Sequence, residues 1–280
     1  MAVALIYGAS YSIAKVVMPE WIEPFGFILI RVTIGATVFI VVWRLTIFEK
    51  IRSKQDYFRL MVCGIFGVAA NQLFFFKGLS MTTTISASVL MTSNPIIVMV
   101  LSYFILKEKI TVQKFLGILL GSAGAVLVLS RGDMTWESGN FLGDFFILLN
   151  STSFAIFLVL VKPLMNKYNA LTVIGWVFLF GSLVVIPFGI SEVLQVQWSQ
   201  LPAHVWLSVV YIVLFTTIFA YFLNVWALKY VNPTVVSYYI YLQPVFASLI
   251  AFMFLKENHE PSMILFALMI FIGVYLVGKK

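Results

Sequence analysis

Two proline-centred motifs carry the chemistry that the chain can offer. Ser88, Thr92 and Pro95 share one helical face at i, i+4, i+7, and Ser237, Tyr241 and Pro244 repeat the arrangement 149 residues later. An amide precedes each proline: Asn94 before Pro95, Gln243 before Pro244. Each proline removes one backbone donor and frees the carbonyl four residues earlier, at Met91 and Ile240. In an apolar setting such a carbonyl must face protein or a wet cavity, so these positions suit directional binding of a polar solute. The alternative is a pair of structural kinks whose hydroxyls bond their own backbone. Repetition on two helices favours the binding reading.

Further polar residues lie at the same depth. Tyr7, Ser10, Tyr11 and Ala14 form a helical stripe, and at an offset of 143 they align with Asn150, Ser153, Phe154 and Phe157. Packing between helices by small and hydroxylated residues accounts for that stripe equally well. Asn71 and Gln72, with Tyr221 and Asn224, add amides and a phenol that are expensive in hydrocarbon unless paired or wet. Charge at this depth is confined to Lys15 and Arg31, with Lys77 at an outer helix end. Arg31 can staple helix ends through carbonyls. It can equally join Lys15 and Lys77 in making the outer pathway electropositive, which suits solutes bearing a carboxylate. All eleven acids fall in connections or at helix ends, so an Asp/Glu proton relay has no carrier and a bare cation lacks hard anionic ligands. A facilitator or an exchanger fits better than an acid-dependent pump. His204 and His259 have no partners at ligand spacing, and Cys63 is a lone thiol in an apolar run. No metal site, cofactor, phosphate loop or catalytic constellation is expected, and an enzyme is not.

The elements that must position these residues are membrane spans. The chain of 280 residues is 62% hydrophobic and 10% charged, far from the balance of a water-soluble domain. An apolar stretch of about 20 residues crosses a bilayer as a helix. That ruler predicts ten spans, at about 2–18, 24–46, 57–78, 82–106, 111–130, 140–162, 170–191, 203–228, 232–255 and 260–278. The first is too long and too polar for a cleaved signal peptide. The net charge of +7 comes from Lys and Arg in short connections, not from a nucleic-acid surface. Thirteen basic residues fall on one side and three on the other, which places both termini in the cytoplasm. Five helices per repeat is odd, so two copies in one chain must lie upside down relative to each other. The fold class is thus an all-α integral membrane protein of ten transmembrane helices in two inverted five-helix repeats, residues 1–130 and 140–279. Gly117, Gly121 and Gly124 offer a close-approach surface, for packing within the repeat or for a dimer contact; packing within the repeat and a monomer are the simpler expectations.

The run Tyr7-Gly8-Ala9-Ser10-Tyr11-Ser12-Ile13-Ala14-Lys15, followed by Pro24 and Arg31, resembles the W-G-x-x-x-x-x-x-K … P … R opening of EamA-domain proteins of the drug/metabolite transporter superfamily. The Asn94-Pro95 and Gln243-Pro244 pairs, with Leu106-Lys107-Glu108 and Leu255-Lys256-Glu257, are similar to that family's repeat endings. Tyr7 stands where tryptophan is usual, and Asn150-Ser151-Thr152-Ser153 is a looser match. The resemblance implies a multi-pass secondary transporter of the cell (inner) membrane with a central cavity lined by the first, third, fourth, sixth, eighth and ninth spans. It implies export of small organic metabolites such as neutral or aromatic amino acids by alternating access. Lipophilic cations, or a sensor without flux, are the alternatives. The partners expected are a small-molecule substrate and the lipid bilayer.

Overall fold

The computed structural model of the protein describes residues 2–82, 84–130, 141–243, 245–246 and 262–278. All the regular structure among them is helical. The helices are α1 (Ala2–Val17), α2 (Pro24–Thr46), α3 (Lys54–Met81), α4 (Thr84–Met91), α5 (Asn94–Leu106), α6 (Val112–Ser130), α7 (Phe141–Met165), α8 (Ala170–Gln195), α9 (Ala203–Ala227), α10 (Pro233–Tyr238) and α11 (Ser262–Gly278). Six segments among the described residues are long and apolar enough to cross a membrane: Pro24–Thr46, Lys54–Met81, Val89–Leu106, Phe141–Met165, Ala170–Gln195 and Ala203–Ala227. Val112–Leu127 and Leu265–Val277 are shorter apolar helices. Large apolar side chains such as Leu45, Phe104, Leu207 and Tyr275 face outward, as a lipid-contacting surface requires. The chain is a multi-pass membrane protein.

Antiparallel α2 and α8 form the spine. Gly26 meets Glu192, Gly35 meets the Phe178 ring, and Gly189 meets Phe25 and Leu29, so the absent side chains let the two axes approach. Each helix also caps the other. The Glu192 carboxylate accepts from the Gly26 amide at 2.7 Å, in the first turn of α2. Glu49, beyond the end of α2, accepts from the Asn169 amide at 2.8 Å and the Thr172 hydroxyl at 2.9 Å, at the start of α8. A carboxylate there satisfies amides with no intrahelical partner and opposes the positive end of the helix dipole. Asp56 does related work nearby: it is buried against Lys167 Nζ at 2.9 Å and the Tyr168 hydroxyl at 2.8 Å, strapping the start of α3 to the α7–α8 turn.

Two helices depart from α geometry midway. Ile65–Ala70 within α3 and Ile212–Phe219 within α9 are wide π turns. The segment expected as one span at 82–106 is broken at Thr92 and Ser93, and Pro95 falls in the first turn of α5. Proline fits there because its missing N–H would have had no partner. The buried apolar residues gather into two main cores. One runs through α1, α2, α3, α7, α8 and α9; the other joins α6, α10 and α11 with Met99 and Ala4. Gly117, Gly121 and Gly124 face Gly273, Tyr238, Tyr241 and Ile270, so they pack the first half of the chain against the second rather than within one repeat as the spacing suggested.

Glycine substitutions test this packing. A methyl at Gly67 would overlap the fully buried Phe157 ring, whereas one at Gly175 meets its nearest neighbour at 3.8 Å. Overpacking of this kind costs about 1–3 kcal/mol. Gly67→Ala is therefore expected to lower the thermal unfolding midpoint in detergent by several degrees and Gly175→Ala to leave it unchanged or raised. Equal midpoints would refute the packing described for α3 and α7.

Candidate functional site

A cavity of about 110 Å³ lies where the two cores meet. A water needs roughly 10–15 Å³ on such a measure, so the space takes a solute of several heavy atoms. Tyr7, Ser10 and Ala14 of α1 form one wall, and Asn71, Gln72, Phe75 and Phe76 of α3 another. Asn150 and Phe154 come from α7, and Ile212, Thr216, Tyr221 and Asn224 from α9. Met91 ends α4, and Val236, Tyr239, Ile240 and Gln243 complete the ring. Arg31 supplies the charge.

The π turn of α9 explains where Arg31 is held. Within that turn the Thr216 and Thr217 hydroxyls both donate to the Ile212 carbonyl, at 2.5 and 3.2 Å. With their protons committed, both oxygens present lone pairs to α2. Arg31 Nε donates to Thr217 at 3.0 Å and Arg31 Nη2 to Thr216 at 3.1 Å. The guanidinium also lies 4.7 Å from the centre of the Phe76 ring and 5.8 Å from that of Phe27. Its exposure is 4%, and no carboxylate among the described residues pairs with it.

The other π turn anchors the opposite wall. Gly67 O, within that turn, accepts from the Tyr221 hydroxyl at 3.1 Å, and Asn71 Oδ1 lies 2.9 Å from the same oxygen. Gln72 Nε2 donates to it at 3.4 Å. Asn71 and Asn150 bind each other reciprocally: Asn150 Nδ2 donates to the Asn71 carbonyl at 2.6 Å, and Asn71 Nδ2 reaches the Asn150 carbonyl at 3.5 Å. These bonds knit α3 to α7 and α9. They leave Gln72 Oε1 and Asn150 Oδ1 buried without a donor.

The structure brings Tyr7, Ser10, Asn71, Gln72, Asn150, Tyr221, Asn224 and Gln243 to the cavity, with Arg31. It does not bring the proline-motif residues there as a set. The Thr92 hydroxyl donates back to Val89 at 2.6 Å and that of Ser237 to Thr234 at 3.0 Å, both local backbone bonds. Asn94 Nδ2 donates to the Ser151 carbonyl at 2.7 Å, fastening α5 to α7, and Pro95 is buried beside it. Tyr241 packs on Gly121 next to Tyr238, away from the lining. Ser153 is buried but does not line the cavity, and Lys77 is half-buried, 6.0 Å from the Phe25 ring. The side chains of Tyr11, Lys15 and Ser88, together with Pro244 and the motif Leu255-Lys256-Glu257, lie outside the described residues. Thr216, Thr217 and Tyr239 were not among the sequence candidates. The adjacent hydroxyls of Thr216 and Thr217 inside an apolar run were the available signal.

The protein-family comparison settles the class. The model of the EamA-like transporter family matches residues 1–130 and 141–279. The chain belongs to the EamA-like transporter family. An uncharacterized transporter of Archaeoglobus fulgidus is 26% identical over 279 residues, covering 99% of this chain and 94% of its own. The uncharacterized transporter YetK of Bacillus subtilis is 29% identical over 210 residues, or 74% of this chain and 64% of its own. A solved crystal structure shares the fold at a TM-score of 0.81 and 16% identity, covering 99% of this chain and 94% of that one. The protein is thus a membrane transporter by family.

The Tyr221 hydroxyl is the meeting point of the wall. Tyr221→Phe would remove the single hydroxyl proton that Asn71 Oδ1 and Gly67 O share, and a buried acceptor left unpaired costs about 1–3 kcal/mol. The thermal midpoint should fall by several degrees, while Lys229→Gln, on an exposed connection, leaves it unchanged. A Tyr221→Phe protein as stable as the parent would show that this network is not what holds the wall.

Proposed function

We propose that the protein is a secondary transporter that exports small organic metabolites, neutral or aromatic amino acids among them, by alternating access to the central cavity. The observation that carries this reading is the cavity's mixed inventory. It combines one buried guanidinium, the amide side chains of Gln72 and Asn150, and the rings of Tyr7, Phe75, Phe76 and Phe154. An amphoteric solute answers each: an anion for Arg31, a hydrogen-bond partner for the amides, and apolar surface for the rings. A lipophilic cation would meet the Arg31 charge with no acid to offset it, which disfavours the multidrug alternative. No acid lines the cavity among the described residues, which favours a facilitator or exchanger over a proton-driven pump.

The architecture we propose is ten spans in two inverted repeats, residues 1–130 and 140–279, with both termini cytoplasmic in the cell membrane and the single chain as the working unit. The paired π turns support it, since the shift of 149 that relates the proline motifs carries Ala70, the end of the first turn, onto Phe219, the end of the second. The reciprocal caps of α2 and α8 support it too, each helix giving what it receives.

Purified protein in liposomes should carry radiolabelled L-phenylalanine or another neutral amino acid down its gradient, and medium from cells expressing the gene should accumulate the same solute. No flux for any member of a neutral amino-acid panel would sink the substrate class. Reporter fusions at both ends should read cytoplasmic, and a periplasmic C-terminus would sink the ten-span arrangement.

A further inference from the structure

Arg31 is a buried cation whose recorded partners are all neutral: two hydroxyls and two aromatic faces. A guanidinium has five N–H donors, and two are accounted for here. An unpaired charge in a dry wall is costly unless something neutralises it. This one lines the cavity rather than the packed interior behind it. We propose that Arg31 selects solutes by a carboxylate, and that Thr216 and Thr217 are positioning residues that aim its free edge into the cavity. The proposal rests on the reading that the cavity holds the substrate.

The aim follows from a chain of committed bonds. Within the π turn the Ile212 carbonyl takes both threonine protons, and the two oxygens can then only accept. They fix the Nε side and one terminal nitrogen of Arg31, so the guanidinium plane cannot turn about its stem. The remaining N–H groups keep the fork geometry that a carboxylate matches with two parallel bonds. Lysine would supply the charge without the fork. A purely structural Arg31, stapling α2 to α9, predicts that its loss weakens all solutes equally. A carboxylate anchor predicts a selective loss.

Binding to the full-length protein in nanodiscs tests this with two probe pairs that differ only at the acid: L-phenylalanine against L-phenylalaninamide, and 3-phenylpropionate against 3-phenylpropionamide. The parent protein should bind the acid of each pair at least about tenfold tighter than its amide, the scale of a hydrogen bond to a charged group. Arg31→Gln should bring both ratios near one while the amides bind as before, and Arg31→Lys should retain part of the preference. Thr216→Val and Thr217→Val should each lower the ratios several-fold, and Thr216→Ser and Thr217→Ser should restore them. The threonine series keeps the test decisive if Arg31→Gln does not fold. A parent protein that binds amides as well as acids overturns the proposal, and so do ratios unmoved by Arg31→Gln or by the valine variants. Liposome flux of the same probes separates the two claims. Selective binding without flux would sink the transport reading and leave the Arg31 assignment intact, whereas flux with unaltered ratios would sink the assignment alone.

Discussion

Within a bilayer every backbone carbonyl must find a donor inside the protein, and the two π turns decide where that demand falls. Each widened turn holds a carbonyl that also accepts from a side-chain hydroxyl. At Ile212 the demand is met by Thr216 and Thr217; at Gly67 it is met from across the protein by Tyr221. Of the side chains bonded to those carbonyls, Thr216 and Tyr221 line the cavity, and each then orders a neighbour: the threonines order Arg31, and Tyr221 gathers Asn71 and Gln72. The site is thus a consequence of how two irregular turns are satisfied. Gly67 permits one of them, because any larger residue would collide with Phe157.

Charge is distributed by the same economy of partners. The carboxylates with recorded partners sit at helix ends. Glu192 and Glu49 cap α2 and α8, Glu108 accepts from Thr234 at the start of α10 and pairs with Lys114, and Asp144 takes the Thr82 hydroxyl at 2.6 Å. A carboxylate at a helix N-terminus gains from free amides and the dipole together, worth roughly 0.3–1 kcal/mol for the dipole alone at exposed ends. Lys162 follows the complementary rule, donating to the carbonyls of Leu228 and Val231 just past the end of α9. With acids and lysines drawn to the ends, Arg31 is the charged residue left on the cavity wall.

Much of this was legible in the sequence, because hydropathy and spacing report directly on burial in lipid. The six long apolar segments and the burial of Asn71, Gln72, Tyr221 and Asn150 follow from composition and periodicity. What periodicity could not supply is the rotation introduced by a π turn. One extra residue in a turn swings everything beyond it by about 100°, since an α-helix has 3.6 residues per turn. Faces drawn with an ideal helix therefore misplace residues inside the turns, and Thr216 and Thr217 lie within the second of them. The break at Thr92 and Ser93 has the same effect. An uninterrupted span would put Thr92 and Pro95 on the face of Ser88, but the chain turns there and Thr92 spends its hydroxyl on Val89. Tyr241 is a third case: a 3₁₀ turn at Tyr239–Tyr241 points Tyr239 and Ile240 at the cavity and leaves Tyr241 against Gly121.

Spacing also says nothing about which amide groups are already used. Asn71 and Asn150 look alike in sequence as polar intrusions, yet their N–H groups are committed to each other's backbone. Only oxygens are left over: Asn150 Oδ1 and, one residue beyond Asn71, Gln72 Oε1. The wall is therefore asymmetric in chemistry, with acceptors on the α3–α7 side and a cation on α2. That arrangement cannot satisfy itself, because Arg31 is held by Thr216 and Thr217 and no described bond joins it to either amide oxygen. A buried cation and polar side chains of α3, α7 and α9 around one space are what separates this cavity from a packing defect, which would be lined by apolar side chains and stay dry.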